Sequence, residues 1–581
     1  MLGMFRDRDR RPYRDLLPWS GEFAGKYLTG AAQVYRLTGD PALRGHLERF
    51  VAELLPLQAE DGYFGPFPRE NRLTGSAPNI DGKNGPTWDA WGHYHMILGL
   101  LSWHEVSGDA RALGAAGRIG DLFAARFGGE GKKPRLVDTG STEMNLAPAH
   151  GLLLLAERTG KAEYRALAEQ FVGEFAAEGG DGRPLAGDYL RRGLAGVPFF
   201  QTPKPRWESL HPMQALAERG IAGGDAESAR AIENLWWSIV ELDRHNTGGF
   251  SSGEQAQGNP YHPGAIETCC TIAWMALSVD LLRLTGNPIV ADELELSTWN
   301  AALGHYHPSG RWSTYNTPMD GVRKANSHEI VFQARPGSPE LNCCSVNAAR
   351  GLGLWTEWAV MEDAEGVVLN GYASGSVEVK RGGDQGTVRL TQETEYPRSG
   401  KIRIGVEVRG KADQVLKLRI PHWSAETKLV VRGEAVEARP GTYARIARAW
   451  QPGDVIELEL DFRPRVWVGE RECAGKASVY RGPVLLAFDP RFQADGASGP
   501  GVVEARELRI EEERWSGPEP APMVLVGVQD GSGRVMRLCD FASAGADGSA
   551  YATWLPLDGA GAPAPAAFSR ERPGRTARTG P

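Results

Sequence analysis

The sequence predicts a multidomain chain, helical first and β-rich after: an (α/α)6 helical barrel followed by C-terminal β-sandwich modules. Three observations carry this reading. A short glycine turn recurs between amphipathic stretches through the first 360 or so residues. Near Glu365 the texture changes to alternating strands. The length, 581 residues, exceeds what one ordinary hydrophobic core accommodates.

The turns are Thr38-Gly39-Asp40-Pro41, Ser107-Gly108-Asp109-Ala110, Thr159-Gly160-Lys161-Ala162, Gly223-Gly224-Asp225-Ala226 and Thr285-Gly286-Asn287-Pro288. In each, glycine can close one helix in the left-handed conformation, and the residues after it, often Asp, Asn or Pro, can open the next. They fall 69, 52, 64 and 62 residues apart, the period of a repeated helix pair. An apolar segment such as Met96 to Val106 precedes each turn, and an amphipathic one such as Ala162 to Ala177 follows. Five hairpins and a further helix from about Ser345 to Met361 suggest six pairs closing into a barrel, with an open solenoid as the competing arrangement. No twelfth helix is evident.

From Val367 to Phe488 the residues alternate at period two in Val388-Arg-Leu-Thr-Gln, Ile402-Arg-Ile-Gly-Val-Glu-Val, Val415-Leu-Lys-Leu-Arg-Ile and Val455-Ile-Glu-Leu-Glu-Leu. Short strands at this spacing predict a β-sandwich. The expected division is a barrel over 1–364 and a sandwich over 365–490. A segment over 491–558 would complete that sandwich or form a small second one, and the Gly-, Ala-, Pro- and Arg-rich tail, 559–581, is expected to be disordered.

A formal net charge of −8, with Lys and Arg scattered, excludes the clustered basic surface that nucleic acid requires. No apolar run suggests a membrane span, and the N-terminal MLGMFRDRDRRPYRD lacks the apolar core of a signal peptide, so a cytoplasmic location is expected. The six cysteines make no disulfide scaffold; four stand in two doublets, Cys269-Cys270 and Cys343-Cys344, and read as reduced thiols.

Three constellations carry chemistry. Glu267 and Cys269 stand at the start of a predicted helix, Ile266 to Leu284, and Cys343-Cys344 open the next. Two helix mouths at one end of a barrel would bring three thiolates and a carboxylate together, a donor set that suits tetrahedral zinc. The alternative is a group of inert buried cysteines. His93, His150 and His211 each stand near the start of the first helix of successive hairpins, 57 and 61 residues apart, and would converge on one mouth if they serve a ligand; singly, each reads as structural. Glu254, in a glycine-rich loop just before Glu267, is either a proton donor beside the metal or a solvated charge. Trp19, Trp88, Trp91, Trp207 and Tyr315 stand near these segments and could stack on a sugar or fill the core.

Taken together, these residues resemble glycoside hydrolase family 127, the β-L-arabinofuranosidase group. The resemblance runs over most of the chain. It rests on Gly25-Lys26, Gln58-Ala-Glu-Asp-Gly-Tyr63, Gly92-His93, Glu267-Thr268-Cys269, Cys343-Cys344-x-x-Asn347, Tyr396-Pro397 and Leu418-Arg-Ile-Pro-His-Trp423. Further on it rests on Gly441-x-Tyr443-x-x-Ile446-x-Arg448-x-Trp450-x-x-Gly453-Asp454 and Arg481-Gly-Pro483. It implies Zn2+ held by Glu267, Cys269, Cys343 and Cys344, Cys343 as nucleophile, Glu254 as acid/base, and His93, His150, His211 and Tyr315 as groups that bind sugar hydroxyls. It further implies a retaining exo-glycosidase releasing a terminal furanose, most simply β-L-arabinofuranose, from a plant-type glycan or glycopeptide, with neither nucleic acid nor membrane as partner.

The chain departs from the family pattern at four points. Cys270 follows Cys269, Ser345-Val346 replaces Pro-Pro, the span from Glu254 to Glu267 is short, and Pro212 follows His211. All four bear on the sugar pocket. The competing readings are action on a different or modified pentose, a carbohydrate lyase on the same plan, and a non-catalytic carbohydrate-binding protein with structural zinc.

Overall fold

The computed structural model describes residues 1–13, 16–78, 83–129, 131, 134–250, 253–307, 309–324, 342–383, 385–494, 496–504, 508–529 and 533–558. The tail expected to be disordered, 559–581, lies outside them.

The five glycine turns fold for the reason their composition suggests. Gly39, Gly108, Gly160, Gly224 and Gly286 all have φ between +59° and +72° and close a helix. The side chains of Asp40, Asp109, Asp225 and Asn287 then accept amides of the next helix's first turn. The inner helices are Glu22–Thr38, Asp89–Ser107, Pro148–Thr159, Leu210–Gly223, Thr268–Thr285 and Cys343–Gly353. The sixth packs on the first, so the ring is closed and a solenoid is ruled out. Outside it lie Pro41–Leu54, Ala110–Phe127, Ala162–Gly173, Ala226–Leu242 and Pro288–Leu296. The sixth pair is truncated: after Gly353 the chain makes only the turn Trp355–Trp358 before the first strand of the sandwich. The fifth inner helix, Thr268–Thr285, is apolar enough over its 18 residues for a membrane span by composition, contrary to the sequence reading, but 83% of it is buried within the barrel.

Close helix approach is set by glycine. A Cβ on Gly25 would stand 2.2 Å from the His95 carbonyl carbon, so Gly25 lets the first two inner helices touch backbone to backbone. The Gln58 amide meanwhile donates to the Gly62 and Ala115 carbonyls, tying the second helix's end to the next hairpin.

Among the described residues the β region contains three sheets. Four strands (Val360–Glu362, Gly366–Leu369, Asp413–Ile420, Thr442–Ala449) face six (from Gly375–Arg381 to Asp454–Glu459) across a core that includes Ile404, Leu418 and Trp450. A third, seven-stranded sheet begins at Pro464, well before the boundary expected at 490. The reason is pairing: Val484–Phe488 hydrogen-bonds to Val535–Asp540, so Pro464 to Phe488 belong with the C-terminal strands.

Two joints fasten the β region to the barrel, the first formed by the Leu418-Arg-Ile-Pro-His-Trp423 motif. Buried Arg419 pairs with Asp292 and Glu295 of the fifth outer helix, and Trp423 Nε1 donates to Glu295 at 3.2 Å, which fastens the sandwich to the barrel. The third sheet clamps the loops at the barrel's open end: Asn246 Nδ2 donates to Ser478 Oγ and Thr553 Oγ1 at 2.9 and 2.8 Å, and Tyr480 Oη donates to the Asn246 carbonyl at 2.7 Å. Those loops carry Glu254 and lead into Glu267.

Candidate metal centre and active site

Glu267 enters the fifth inner helix from a short bridge to Asn316, and Thr268 N donates to the Tyr315 carbonyl at 2.9 Å. Cys269 is therefore in the helix's first turn. Cys343 and Cys344 occupy the first turn of the sixth helix, capped by Asn342, whose side chain accepts from Ser345 N at 2.8 Å while Ser345 Oγ accepts from Asn342 N at 3.0 Å. Ser345, a departure from the family pattern, thus completes a capping box. Both helix N-termini direct partial positive charge at the thiols.

The two mouths meet. Ligand atoms of Glu267, Cys269, Cys343 and Cys344 all lie within 4.8 Å of one another, and all four residues are buried. Cys344 Sγ stands 3.4 Å from Glu267 Oε1, 3.6 Å from Cys269 Sγ and 3.8 Å from Cys343 Sγ. Burial, and then the neighbouring Cys269, push the Cys343 and Cys344 thiols up. Burial acts the same way on Cys269, but hydrogen bonds from the adjoining thiols, the Lys26 charge and Asn347 hold it below the ordinary range. Such a set of sulfur and carboxylate donors, sealed from water, is unfavourable without a cation at its centre. Three sulfurs and one oxygen at this spacing fit zinc. Cys270 is not of the group; its Sγ lies 3.9 Å from Glu267 Oε2, and burial followed by that carboxylate keeps it a thiol.

Around this cluster are Lys26 and Asn347, to which the sequence assigned no role, and Tyr315, expected there to bind sugar. Lys26 Nζ donates to Cys269 Sγ at 3.6 Å and pairs with Glu22 at 2.9 Å, both side chains 1% exposed. Asn347 Nδ2 donates to Cys269 Sγ at 3.4 Å. Tyr315 Oη lies 3.4 Å from Cys343 Sγ, and burial with the nearby Glu267 and thiols raises its pKa, so it stays a phenol able to donate to that sulfur.

Glu254 is laid beside the cluster by a backbone pairing: Ala256 N donates to the Pro205 carbonyl at 2.9 Å, and Trp207 N to the Glu254 carbonyl at 3.3 Å. Glu254 itself has φ +65°. Its carboxylate pairs with Arg206, whose Nε also stands 2.8 Å from Glu208. Glu254 is the accessible carboxylate at 29% side-chain exposure, whereas Glu208 is buried, and burial pushes it up to about 8 against the lowering effect of Arg206. The Arg206 guanidinium lies over half-buried Trp88, 5.5 Å from the ring centre, and Trp88 meets Trp19 at 5.1 Å, which gives this end of the barrel an aromatic rim.

The three histidines do not converge as a trio. His93 faces away: Nε2 accepts from Phe64 N at 2.9 Å and Nδ1 lies 2.8 Å from the Asp89 carbonyl, so both nitrogens serve the fold. The imidazole of that helix that points inward is His95, which packs on Trp91 and His211 and whose two buried ring nitrogens have no hydrogen-bond partner among the described residues. Helical spacing carried the signal, since His95 stands one turn from Trp91 on the inner face. His211 and His150 are joined through Tyr94, whose Oη lies 3.0 Å from each Nδ1. His150 then turns its Nε2 toward the far end of the barrel, away from the cysteines.

Comparison with known proteins agrees with this architecture. Residues 10–354 match the family described as β-L-arabinofuranosidase, GH127 catalytic domain, and residues 366–462 match the GH127 middle domain. A non-reducing end β-L-arabinofuranosidase of Bifidobacterium longum subsp. longum is 24% identical over 507 residues, covering 80% of this chain and 74% of that protein. Among solved structures, a GH127 β-L-arabinofuranosidase from Geobacillus stearothermophilus T6 superposes with a TM-score of 0.77 at 20% identity, covering 96% of this chain and 94% of that one. A second GH127 β-arabinofuranosidase gives 0.76 at 20% identity, covering 96% and 92%. These structural likenesses concern the fold.

Proposed function

The chain belongs to the GH127 β-L-arabinofuranosidase family of glycoside hydrolases, and from that premise we propose that it is a retaining exo-glycosidase that releases a terminal β-L-arabinofuranose with Cys343 as nucleophile and Glu254 as acid/base. The observation that carries the reading is the meeting of Glu267, Cys269, Cys343 and Cys344 within 4.8 Å, with the Glu254 loop laid against the same end of the barrel. Zinc held by those four residues would supply the positive field that keeps a buried thiol ionised at neutral pH. A carbohydrate is the substrate class, in keeping with the Trp19–Trp88 rim.

The protein's own groups do the rest. The Cys343 thiolate attacks the anomeric carbon as the bond to the leaving oxygen breaks, and Glu254 gives that oxygen its proton. Water then attacks the same carbon, Glu254 takes the water's proton, and the carbon–sulfur bond breaks to return the thiolate. Two inversions make net retention, with one carboxylate and one thiolate where the usual scheme has two carboxylates. Tyr315 steadies the Cys343 sulfur between the steps by its hydroxyl at 3.4 Å. Arg206 holds Glu254 in place through their ion pair. His211, His95 and Tyr315 are the groups proposed to meet sugar hydroxyls. The role requires free thiols, which supports a reducing, cytoplasmic setting; all six cysteines are unbridged.

The test is hydrolysis of a panel of aryl α- and β-L-arabinofuranosides and related pentosides, run beside Cys343→Ala. Cleavage of the β-L-arabinofuranoside that disappears in the variant supports the proposal. Undiminished cleavage by Cys343→Ala overturns the nucleophile, and cleavage of another pentoside alone overturns the sugar.

A further inference from the structure

The inner helices all begin at the cysteine end, so residues further along them line the opposite end of the barrel. There a cavity of about 250 Å³ is walled by Gln33, His150, Glu218, Asp280, Arg283 and Arg350 among others. Asp280 stands eleven residues beyond Cys269 on the same helix, about 16 Å along its axis, so the cavity is separate from the thiol cluster.

Two polar side chains in this wall are left incomplete. His150 is 3% exposed and Asp280 8% exposed, and neither His150 Nε2 nor Asp280 Oδ2 has a hydrogen-bond partner among the described residues. Buried polar atoms are normally satisfied, so this pair asks for a missing partner. With Glu218 they place one nitrogen and two carboxylate oxygens within 4.8 Å of one another.

The proton arrangement makes His150 Nε2 a lone-pair donor. Tyr94 Oη stands 3.0 Å from Nδ1 of both His150 and His211, and burial keeps all three groups neutral. One phenol carries one proton, so one imidazole accepts from it and the other donates Nδ1–H to it. The tautomer in which His211 Nδ1 is the acceptor is the one that agrees with Gln214 Nε2, 3.4 Å from the same nitrogen. His150 therefore carries its proton on Nδ1, given to Tyr94 Oη, and directs the Nε2 lone pair at the two carboxylates. An imidazole fixed from behind by its other N–H is the arrangement that histidine metal ligands adopt.

Charge agrees. The cavity wall has five carboxyl groups against three guanidinium groups, and a bound cation would favour the ionised form of Asp280, whose pKa burial and then Glu218 raise to about 7. Arg283, 36% exposed, reaches in from the solvent side to Glu218 and to Asp280 Oδ1 at 3.2 Å, leaving Oδ2 toward His150. Ligand atoms about 2.1 Å from an ion stand about 3.0 to 3.5 Å apart, so closure from 4.8 Å requires about an ångström of side-chain movement.

We propose that His150, Glu218 and Asp280 form a second metal site, which binds one divalent first-row cation at the closed end of the barrel with Arg283 as its outer cap. The mixed imidazole and carboxylate donors suit Mn2+ or Zn2+ and lack the sulfur of the first cluster. The site does not depend on the glycosidase reading.

The test titrates Mn2+ into the full chain loaded with a single equivalent of zinc, which the thiol cluster takes in preference, and follows free Mn2+ by its EPR signal, beside His150→Ala and Asp280→Asn, with circular dichroism as the folding control. Retention of about one Mn2+ per chain, lost at least tenfold in affinity in both variants, is the expected result. A wild-type chain that retains no Mn2+ overturns the site, as does equal retention by folded His150→Ala. A failure of the thiol cluster would show separately, as loss of the Co2+–thiolate absorption in a cobalt-loaded sample, and would leave the Mn2+ count unchanged.

Discussion

Lys26 is the counter-charge built into the thiol cluster, and removing it gives a quantitative test. Its ammonium stands 2.9 Å from Glu22 Oε1 and 3.6 Å from Cys269 Sγ, with its side chain 1% exposed. At an effective dielectric of 20 the two attractions amount to about 6 and about 5 kcal/mol before desolvation, which cancels much of them. Lys26→Met keeps the bulk of the stem and deletes the charge, together with the ammonium's contacts over the Trp91 and Trp207 rings at 5.6 and 5.3 Å. It leaves the Glu22 carboxylate buried without a counter-charge, with only the Trp91 indole N–H donating to it, so about 3–5 kcal/mol of stability should be lost. Equilibrium urea unfolding of the zinc-loaded protein reads this as a lower midpoint at unchanged slope. Zinc affinity, measured by competition with a chromophoric chelator, should fall as well, because Cys269 loses the cation among the groups that, after the adjoining thiols, lower its pKa. Adding Glu22→Leu to the variant should recover most of the stability but not the zinc affinity. A stability loss below about 1 kcal/mol, with zinc affinity intact, would refute the view that Lys26 is an electrostatic part of the centre.

Asp243 anchors the loop after Glu254: its Oδ1 accepts Gln257 N and Gly258 N at 2.7 and 2.8 Å, and burial pushes its pKa up to about 6. A raised carboxyl pKa gives stability that is full below the unfolded value near 3.9 and is lost as pH rises through 6, about 2–3 kcal/mol in all. Asp243→Asn keeps both amide bonds, so its melting temperature should flatten over that range and exceed wild type at pH about 8. At the barrel–sandwich joint, Arg419→Met strands Asp292 and Glu295 in a buried interface and should cost about 3–5 kcal/mol by urea unfolding, whereas a triple change that also makes both carboxylates apolar should restore most of it. Chelation should lower the melting temperature and end hydrolysis together, with re-added zinc restoring both; activity untouched by full zinc removal, checked by metal analysis, would contradict the assignment of the cluster.

The helical hairpins were legible because each turn states its own geometry in a few residues, such as Thr285-Gly286-Asn287-Pro288, and the ring then closes by repetition. The cysteine cluster was legible because both doublets open helices, and helix starts in such a barrel share one end. Other features depend on distant contacts that local pattern does not contain. The second β unit begins at Pro464 because two of its early strands pair with residues about 50 or more positions later, Leu486 with Asp540 and Lys476 with Pro556, which alternation alone does not reveal. The histidines, though similarly spaced, point differently, since a helix turns about 100° per residue: His93 and His95 stand two residues apart on nearly opposite faces, and only the latter enters the barrel. Glu208 and Arg206 were passed over because charge in a connecting segment looks solvated until the fold buries it.

The most direct measurement is proton NMR of the sugar released in the first seconds of turnover from a β-L-arabinofuranoside, compared with the same reaction of Cys343→Ala supplied with enough enzyme to detect slow cleavage. The account predicts β-L-arabinofuranose as the first product, mutarotating afterwards, and no cleavage by the variant. The α anomer appearing first, or cleavage by the variant at the wild-type rate, would contradict a cysteine nucleophile acting with retention.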